Sequence, residues 1–463
     1  MAESVLLRFL KRPNTRPSTK LLALSLFSGA GLSDLGYELA GFGFAAQCEL
    51  DKHRAEICKR NFPNSECVVG DVREKWGEVL QAYRNKTHSQ RPALLSLTPP
   101  CQGMSSSNPG RGKITNPDDG VRDQRNLLLL SALPIIHELK PRIIVAENVA
   151  PLLNRIVKVG AKNEVKTVVE AFEQGLEGYH LFIGIVQMAD YGIPQVRRRS
   201  ILVAVSEDEP CLEWLKTKKL LPWPRPTHAE CATLECEKWV TVREWFEMMR
   251  YPPLDAQDKP NDPEEPLHFV PRYTGDRYLM IAEIPPNSGQ NAYQNPTCPD
   301  CHKNSIPLGL AYCPHCGNLL RNRPYFKPAR GKARLIKGFE SSYRRMYPDR
   351  PAPTVTTNSS HVGSDYKIHP WENRVLSVRE CADLQTVPRF FDWSWALDTH
   401  HSYVIRNAVG EALPTYFAYL HGQVLKELLN GRRPESKLSR AGIDGQERIV
   451  DKTDSENASD EEV

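Results

Sequence analysis

Between Leu21 and residue 206 the chain alternates short apolar runs with longer amphipathic stretches, and this rhythm constrains its fold more than any other feature. The apolar runs are rich in Leu, Val and Ile, as expected of strands that are buried on both faces. They read LLALSLF, FAAQCEL, CVVGDV, ALLSLTPP, RIIVAENV and HLFIGIVQ. Helical stretches such as NLLLLSALPIIHELK lie between some of them. Strands that alternate with helices predict an α/β fold with a mostly parallel sheet and helices on both faces.

The alternation stops near residue 206, and this divides the chain into five predicted segments. The stretch that follows is rich in Pro, Trp and charged residues, so we expect a smaller, irregular domain there. Ordered patterns then return and end in the helical stretch TYFAYLHGQVLKELL. The segments are a basic N-terminal arm at 1–18, the first part of the main domain at 19–205, the irregular domain at 206–340, the return of the main domain at 341–430, and an acidic tail at 431–463 that we expect to be disordered.

Composition excludes membrane and secreted proteins and favours a polyanionic partner. No apolar run approaches the roughly 20 residues that cross a bilayer, and the apolar stretch at the N-terminus is too short for a signal peptide. We therefore expect a cytoplasmic protein with no membrane partner. The net charge is +4, but the last 13 residues carry −5, so the other 450 carry +9. This mildly basic balance is compatible with nucleic acid as a partner.

Glycines and acids at the ends of three successive predicted strands indicate a nucleoside site. Gly29 and Gly31 lie in a turn between a strand and a helix, where the backbone can approach a ligand closely and the helix N-terminus favours a carboxylate. Glu49 ends the next strand, where an acid can bind ribose hydroxyls, and Asp71 ends the third, where it can accept from an adenine amino group. Each alone also fits a tight turn or a solvated loop acid.

Cys101 is the candidate nucleophile of the chain. Two prolines precede it and stiffen the loop that follows the fourth predicted strand, so the thiol can be held against a planar substrate. A buried core cysteine is the alternative. Glu147 ends a further strand and could contact a heterocycle. Arg197 and Arg199 alternate on an extended segment and therefore face the same side, where they suit a phosphate or a carbonyl oxygen. A solvated basic run is the alternative reading of these arginines.

The ordered series FSGAG, ExD, GDV, PPCQ, ENV and QxRxR resembles the DNA (cytosine-5) methyltransferase family. RPAPTVTT at 350–357, LSVRECADLQTVP at 376–388 and VGEALP at 409–414 are similar to later motifs of that family. The resemblance implies the Rossmann-like class I fold of S-adenosylmethionine-dependent methyltransferases, with a target recognition domain at 206–340. It implies S-adenosylmethionine as cofactor, bound by Phe27, Ser28, Gly29, Gly31, Glu49, Asp71, Val72 and Pro100.

The resemblance also implies a mechanism. The target cytosine leaves the DNA helix, because its ring cannot be attacked within the stack. The Cys101 thiolate then adds to C6, Glu147 stabilises the ring at N3, Arg199 binds O2, and Arg197 binds a neighbouring phosphate or loop. Double-stranded DNA is the implied partner, so the enzyme would be associated with the nucleoid. We expect a monomer that belongs to a restriction-modification system with a cognate endonuclease, or an orphan methylase.

Three positions depart from the family pattern. Ser25 stands where many members have Asp, and Leu32 where many have Gly. Glu411 replaces the usual Asn of the last motif and leaves the role of residue 411 open. None of the three is a reacting group.

Four of the twelve cysteines form two CxxC pairs with metal-ligand spacing. Thiolates of Cys298, Cys301, Cys313 and Cys316 suit tetrahedral structural Zn²⁺ and predict a zinc ribbon at 296–320. Four unconnected cysteines are the alternative. The basic side chains that follow could contact phosphates or belong to a solvated linker: Lys327, Arg330, Lys332, Arg334 and Lys337.

Three rival functions fit parts of the same sequence. A tRNA cytosine methyltransferase would share the motifs, but such members tend to lack a large recognition insert with a zinc site. A catalytically silent DNA-binding protein on the same scaffold would not need Cys101, Glu147 and Arg199 together. A metal-dependent nuclease would need a cluster of acids and lysine, which the sequence does not display.

Overall fold

The computed structural model describes six parts of the chain, which include most of both predicted domains. Within them the predicted alternation of strands and helices is present. The described residues are 4–18, 21–100, 124–160, 164–338, 341–364 and 366–441. None of the helices in these ranges has the length and apolar character that crossing a bilayer requires.

The strands concentrate in the first half of the chain. In chain order they are β1 (Leu21–Leu26), β2 (Phe42–Glu49), β3 (Glu66–Val69), β4 (Leu94–Leu97), β5 (Ile143–Val149), β6 (Ile156–Val159), β7 (Glu164–Thr167), β8 (Tyr179–Gln187), β9 (Gln195–Val196), β10 (Arg198–Ser206), β11 (Leu220–Pro224), β12 (His228–Ala229), β13 (Glu237–Lys238), β14 (Tyr325–Phe326), β15 (Arg334–Leu335), β16 (Ala352–Pro353) and β17 (Leu438–Arg440).

The helices follow the strands in the first half and dominate the C-terminal part. They are α1 (Val5–Lys11), α2 (Leu32–Ala40), α3 (Lys52–Asn61), α4 (Val72–Thr87), α5 (Leu133–Leu139), α6 (Val168–Gln174), α7 (Leu212–Thr217), α8 (Val242–Met249), α9 (Gly275–Ala282), α10 (Val378–Leu384), α11 (Ser394–Asp398), α12 (Ser402–Glu411) and α13 (Thr415–Leu429). Short 3₁₀ helices span Gln124–Ala132, Ala150–Asn154, Met188–Tyr191, Ala292–Gln294 and Glu435–Lys437.

One mixed sheet organises this part of the molecule, in the order β3-β2-β1-β4-β5-β10-β8. The strands from β3 to β5 are parallel to one another. β10 is antiparallel to both of its neighbours, β5 and β8. The order reverses between β1 and β4, which places a crevice outside the carboxyl ends of these strands. The sheet topology therefore decides where a ligand can bind.

Alternate side chains of the strands enter two separate cores, one on each face of the sheet. On β10, Ile201 and Val203 pack with α2, α3 and α13, whereas Leu202 and Ala204 pack with α4, α5 and α6. Because side chains alternate across a strand, a sheet that is covered on both faces needs apolar residues at nearly every strand position. The continuous apolar runs of the sequence have this cause. We call the sheet with the elements that pack on it the sheet lobe.

Three predicted segment boundaries need correction. The N-terminal segment is not a free arm, because Leu6 and Leu10 of α1 are buried in the core of the sheet lobe. Residues 206–249 also belong to this lobe, since Trp223 and Trp245 are fully buried in the same core. The predicted disordered tail begins too early, because β17 pairs with β11.

A second lobe extends from residue 254 to residue 375. Its own small core includes Leu254, Ile281, Ala292, Ile368 and Val375. β16 pairs with β9 beside the main sheet, and Leu267, Met346 and Val355 pack into the core of the sheet lobe. Regular elements are few here, as the sequence predicted, although the lobe begins and ends later than the predicted range 206–340.

Candidate active site

A cavity of about 570 Å³ lies at the carboxyl ends of the sheet strands, on both sides of the point where the strand order reverses. This volume is typical of small-molecule sites. Loops after β1, β2, β3, β4 and β5 contribute to its wall. The lining side chains are Phe27, Ser28, Gly29, Ala30, Leu32, Ser33, Cys48, Glu49, Leu50, Asp51, Arg54, Gly70, Asp71, Val72, Arg73, Thr98, Pro99, Pro100, Arg125, Leu128, Glu147, Asn148, Val149, Arg199, Ala408, Glu411 and Ala412.

The turn after β1 brings the backbone to the cavity without a side chain in the way. Gly29 has φ +57°, and a Cβ built on it would meet nothing within 4 Å. Its N–H donates to Oε2 of Glu49 at 2.8 Å. Gly31 does not line the cavity, in contrast to its predicted role. It has φ +85°, and a Cβ there would lie 2.3 Å from the ring of Phe62. Glycine is therefore required at this position by the backbone conformation and by the close packing of Phe62.

Glu49 is buried and held by two backbone donors. Besides Gly29, the N–H of Asp51 donates to its Oε1 at 2.9 Å. Burial raises the pKa of Glu49, while these hydrogen bonds and the nearby Arg54 oppose the rise. Each carboxylate oxygen can accept one more hydrogen bond. A carboxylate fixed in this way at the end of the second strand fits a pair of ribose hydroxyls.

Asp71 lies at the edge of the cavity and is engaged with its own helix. It caps α4, accepting from the N–H of Arg73 at 2.9 Å, and its Oδ2 accepts from Nη2 of Arg73 at 2.6 Å. The guanidinium of Arg73 lowers the pKa of Asp71. Asp71 is therefore an ionised acceptor at this end of the cavity. Arg73 lines the cavity beside it and was not anticipated.

Glu147 and Arg199 form a buried ion pair at the opposite side of the cavity. Nε of Arg199 lies 2.8 Å from Oε1 of Glu147, and both side chains are at most 10% exposed. Antiparallel pairing of β5 with β10 brings the two residues together. Burial raises the pKa of Glu147, and the charges of Arg199 and Arg197 oppose that rise. The pair thus offers a carboxyl group and a guanidinium side by side in a largely buried site.

Two hydrogen bonds fix the backbone just before the predicted nucleophile. Nδ2 of Asn148 donates to the carbonyl of Pro99 at 2.9 Å, and Oγ1 of Thr98 donates to the carbonyl of Phe27 at 2.8 Å. Asn148 therefore anchors the Pro-Pro segment to the strand that carries Glu147. Pro100 lines the cavity, whereas Cys101 lies outside the described residues.

The sequence suggested that Arg197 contacts a neighbouring phosphate or a loop, and the structure shows it donating to backbone carbonyls. It is fully buried and does not line the cavity. Its Nη1 donates to the carbonyl of Val355 at 3.0 Å, and its Nη2 donates to Ala412 at 2.7 Å. It thereby ties two segments of the second half of the chain to the sheet. Arg197 therefore contacts the backbone of two loops.

Arg54 and Glu411 are cavity residues whose pairing the sequence did not reveal. Nη2 of Arg54 donates to Oε1 of Glu411 at 3.2 Å, and Nη1 donates to the other oxygen. Glu411 was noted only as a departure from the family pattern. Arg54 lies in the first turn of α3, directly after the strand that ends at Glu49, and this closeness in sequence was the available signal for its place in the cavity.

A second constellation lies in the second lobe, far along the chain from the cavity residues. The sulfur atoms of Cys298, Cys301, Cys313 and Cys316 all lie within 4.8 Å of one another. The sulfur atoms of Cys298 and Cys316 are 3.7 Å apart, as are those of Cys301 and Cys313. The two CxxC pairs are therefore brought into one cluster.

With this geometry established, the chain was compared with known proteins. The family model of the C-5 cytosine-specific DNA methylases matches residues 21–426. The chain belongs to this family. The resemblance that the motifs suggested is thus confirmed, and with it the activity of a DNA cytosine-C5 methyltransferase that uses S-adenosylmethionine.

Two curated relatives are similar to this chain over most of its length. The Type II methyltransferase M.XorII of Xanthomonas oryzae is 32% identical over 450 residues, which are 93% of this chain and 90% of that protein. The Type II methyltransferase M1.HgaI of Avibacterium volantium is 27% identical over 404 residues, 85% of this chain and 95% of that protein. A crystal structure of an E. coli prophage protein described as a DNA modification methyltransferase is 22% identical, with a TM-score of 0.49, covering 89% and 100% of the two chains.

Proposed function

We propose that this methyltransferase modifies one cytosine within a specific double-stranded DNA sequence, through a covalent bond between Cys101 and C6 of a flipped-out base. The observation that supports this most is the buried pair of Glu147 and Arg199, which opens into the same cavity as Glu49 and Asp71. One continuous cavity can therefore hold a cofactor and a planar base in contact.

Different residues of the chain bind the cofactor and attack the base in the proposed reaction. S-adenosylmethionine supplies a methyl group on a sulfonium. Gly29 and Glu49 hold the ribose side of the cofactor, and Asp71 accepts from its adenine. The Cys101 thiolate donates its electron pair to C6 of cytosine, and C5 then becomes nucleophilic towards the methyl group. Loss of the C5 proton and departure of the thiolate restore the aromatic ring.

Glu147 and Arg199 stabilise the charge that develops on the ring. Burial raises the pKa of Glu147 and so favours the sharing of a proton between its carboxyl group and N3 of cytosine. Arg199 presents guanidinium N–H groups beside it and can donate to O2. Donors that are fixed before the reaction in a site without water stabilise a developing charge with little reorganisation. Since Arg197 is engaged with backbone carbonyls, we assign it a positioning role.

We infer that the second lobe carries the target recognition. The hairpin of β14 and β15 exposes several basic side chains, and the guanidinium of Arg334 lies 5.7 Å from the ring centre of Phe326. No carboxylate partner within the described ranges pairs with the exposed set Lys327, Arg330, Lys332, Arg334 and Lys337. Unpaired basic side chains on one hairpin favour contact with DNA phosphates.

We also propose that the four cysteines of this lobe bind structural Zn²⁺. Zinc–sulfur bonds of about 2.3 Å in a tetrahedron place sulfur atoms about 3.8 Å apart, close to the 3.7 Å of Cys298 with Cys316 and of Cys301 with Cys313. Cys298 and Cys313 are buried and the other two are not, so each CxxC pair contributes one buried and one more exposed sulfur. Four protein ligands leave no position for catalysis, which makes the proposed role structural.

We propose further that the enzyme belongs to a Type II restriction-modification system. The relatives M.XorII and M1.HgaI carry that description in their names, and they match most of this chain. A cognate endonuclease would then recognise the same DNA sequence.

Bisulfite sequencing of DNA from a methylation-free host that expresses the protein tests the proposed function and yields the target sequence. A duplex with 5-fluorocytosine at that position should then trap a covalent complex, because fluorine cannot leave C5 as a proton does. Cys101→Ser should methylate at less than about one-thousandth of the wild-type rate, because a hydroxyl is a far poorer nucleophile at neutral pH.

The matched control is Cys231→Ser, since Cys231 is exposed and lies outside the cavity. This variant should keep wild-type turnover and trapping. Normal turnover by Cys101→Ser would overturn the assignment of the nucleophile. Methylation of tRNA without methylation of DNA in the same host would favour the rival RNA methyltransferase.

A further inference from the structure

Arg54 and Glu411 form an ion pair that faces the cofactor cavity, at a position for which the sequence suggested no role. Both of their guanidinium-to-carboxylate contacts are made, and both residues line the cavity. Their side chains are 18% and 29% exposed, so the pair is largely shielded from bulk water. An ion pair with this degree of burial is a stronger feature than an exposed surface pair.

The backbone on both sides of the pair is held in place. Nη2 of Arg197 donates to the carbonyls of Gly410, Glu411 and Ala412, and Nε2 of Gln385 donates to Ala412 at 3.0 Å. On the other side, the N–H of Arg54 donates to Oδ1 of Asp51, the cap of α3. The two charges are therefore fixed before any ligand arrives, as a binding site for a small charged group requires.

The ion pair lies beside Glu49, and the proposed roles of Glu49 and Asp71 direct the amino-acid end of the cofactor towards it. Glu49 is close enough to respond to the charges of both Arg54 and Glu411. Asp71 follows the edge strand β3, next to β2. A cofactor with its adenine at Asp71 and its ribose at Glu49 therefore extends its other end away from β3. Oγ1 of Thr415 donates to the carbonyl of Leu32, which joins the segment after Glu411 to the first residue of α2. The N-terminus of α2 and the ion pair thus bound the same end of the cavity.

The hydrogen-bonding capacity of the pair matches an α-amino acid. Arg54 uses two of its five side-chain N–H groups on Glu411, and within the described residues the other three remain to donate. Each oxygen of Glu411 accepts one bond from Arg54 and can accept a second. A carboxylate can therefore bind Arg54, and an ammonium can bind Glu411, without separation of the pair.

We propose that Arg54 and Glu411 together bind the methionine end of S-adenosylmethionine, with Arg54 on the α-carboxylate and Glu411 on the α-ammonium. This proposal depends on the cofactor site proposed above. A simple latch between α3 and α12 is the competing explanation of the same ion pair, and the two explanations differ in which ligands should respond to a mutation.

Calorimetry with two ligands separates the explanations. S-adenosylhomocysteine carries the amino-acid end, whereas 5′-methylthioadenosine has the same adenosine and thioether without it. Glu411→Gln and Arg54→Met should each weaken S-adenosylhomocysteine binding about 10- to 150-fold, the loss expected for a hydrogen bond to a charged group. Affinity for 5′-methylthioadenosine should stay within about 2-fold of wild type, because that ligand never reaches the pair.

Glu56→Gln is the matched control. Glu56 lies on the same helix as Arg54 and pairs with Lys59 on the exposed side, outside the cavity. It should change neither affinity. An equal loss of affinity for both ligands in Glu411→Gln would establish a latch and overturn the proposal. An unchanged affinity for both ligands would also overturn the proposal. Failure of the wild-type protein to bind either ligand would instead refute the cofactor site itself.

Discussion

The two lobes satisfy their backbone polar groups in different ways. In the sheet lobe, strand ladders and helices pair most N–H and C=O groups with each other, and a few buried side chains, among them Arg197 and Arg406, donate to loop carbonyls. In the second lobe, regular elements are few and the apolar core is small. A buried carbonyl without a partner costs stability wherever it lies, so the second lobe must supply donors from side chains.

Buried arginines supply those donors. Arg345 is fully buried and donates to the carbonyls of Ile281, Ile284, His369 and Glu372. Arg323, also fully buried, donates to carbonyls of two loops around the cysteine cluster, those of Asn295, Ile306, Pro307 and Leu310. A guanidinium with five donors in one plane can gather several loop carbonyls at once.

The basic residues of an irregular domain therefore have two different roles. Exposed side chains such as Arg330 are available for a polyanion, whereas Arg345 and Arg323 replace the hydrogen bonds of missing secondary structure. Both kinds contribute equally to the net charge. The positive charge of such a domain therefore overstates its capacity to bind DNA.

Removal of the proposed metal should produce the largest difference between the lobes. Cys313→Ser with Cys316→Ser should abolish one equivalent of zinc and lower site-specific DNA affinity more than about 100-fold, because the small core around the cysteines cannot hold its loops alone. The sheet lobe has its own cores, so S-adenosylhomocysteine affinity should remain within about 2-fold. Elemental analysis, competition binding at fixed salt and calorimetry measure the three quantities.

The matched control is Cys231→Ser with Cys236→Ser, a pair in the sheet lobe that lies outside the cluster. It should retain zinc and DNA affinity. Wild-type protein without metal, or a cluster variant with full sequence preference, would contradict the prediction.

Features that follow from local periodicity could be predicted from the sequence. The apolar runs predicted the strands, because a strand that is covered on both faces is apolar at nearly every position. The turn at Gly29 and the acid at Glu49 could be placed at adjacent strand ends for the same reason. The CxxC spacing identified the cysteine cluster, since ligands of one metal must be close in space.

Features that depend on tertiary partners could not be predicted. Trp223 and Trp245 lie in a segment without alternation, yet they complete the core of the sheet lobe. The boundary at 206 was therefore wrong. Arg197 shares its pattern with Arg199, but its donors are used on carbonyls that are distant in sequence. The pairing of Arg54 with Glu411 joins residues 357 positions apart.

Truncation of a buried arginine should test whether such side chains supply the hydrogen bonds that stabilise the second lobe. Arg345→Met keeps most of the volume but leaves four carbonyls without their donor, so the second lobe should lose about 3–5 kcal/mol of its free energy of unfolding. Hydrogen exchange resolved by peptide should show faster exchange within 254–375 and unchanged protection in the sheet strands.

Arg272→Met is the control in the same lobe, since Arg272 is exposed. Its exchange pattern should match wild type. Equal loss of protection in both lobes of Arg345→Met would mean that the lobes unfold as one unit, and the distinction between them would fail.

The smallest expected effect concerns an exposed arginine of the β14–β15 hairpin. Arg330→Ala should leave the stability of both lobes unchanged, because the side chain is exposed at the tip of the hairpin. If Arg330 neutralises one phosphate, DNA affinity should fall a few-fold for all sequences alike, and the slope of log K against log salt should become shallower by about 1. Lys86→Ala is the control, because Lys86 lies at the end of α4 remote from the cavity. Its slope should equal that of wild type. A loss of affinity for the target sequence alone, with the slope unchanged, would mean that Arg330 reads a base instead of a phosphate.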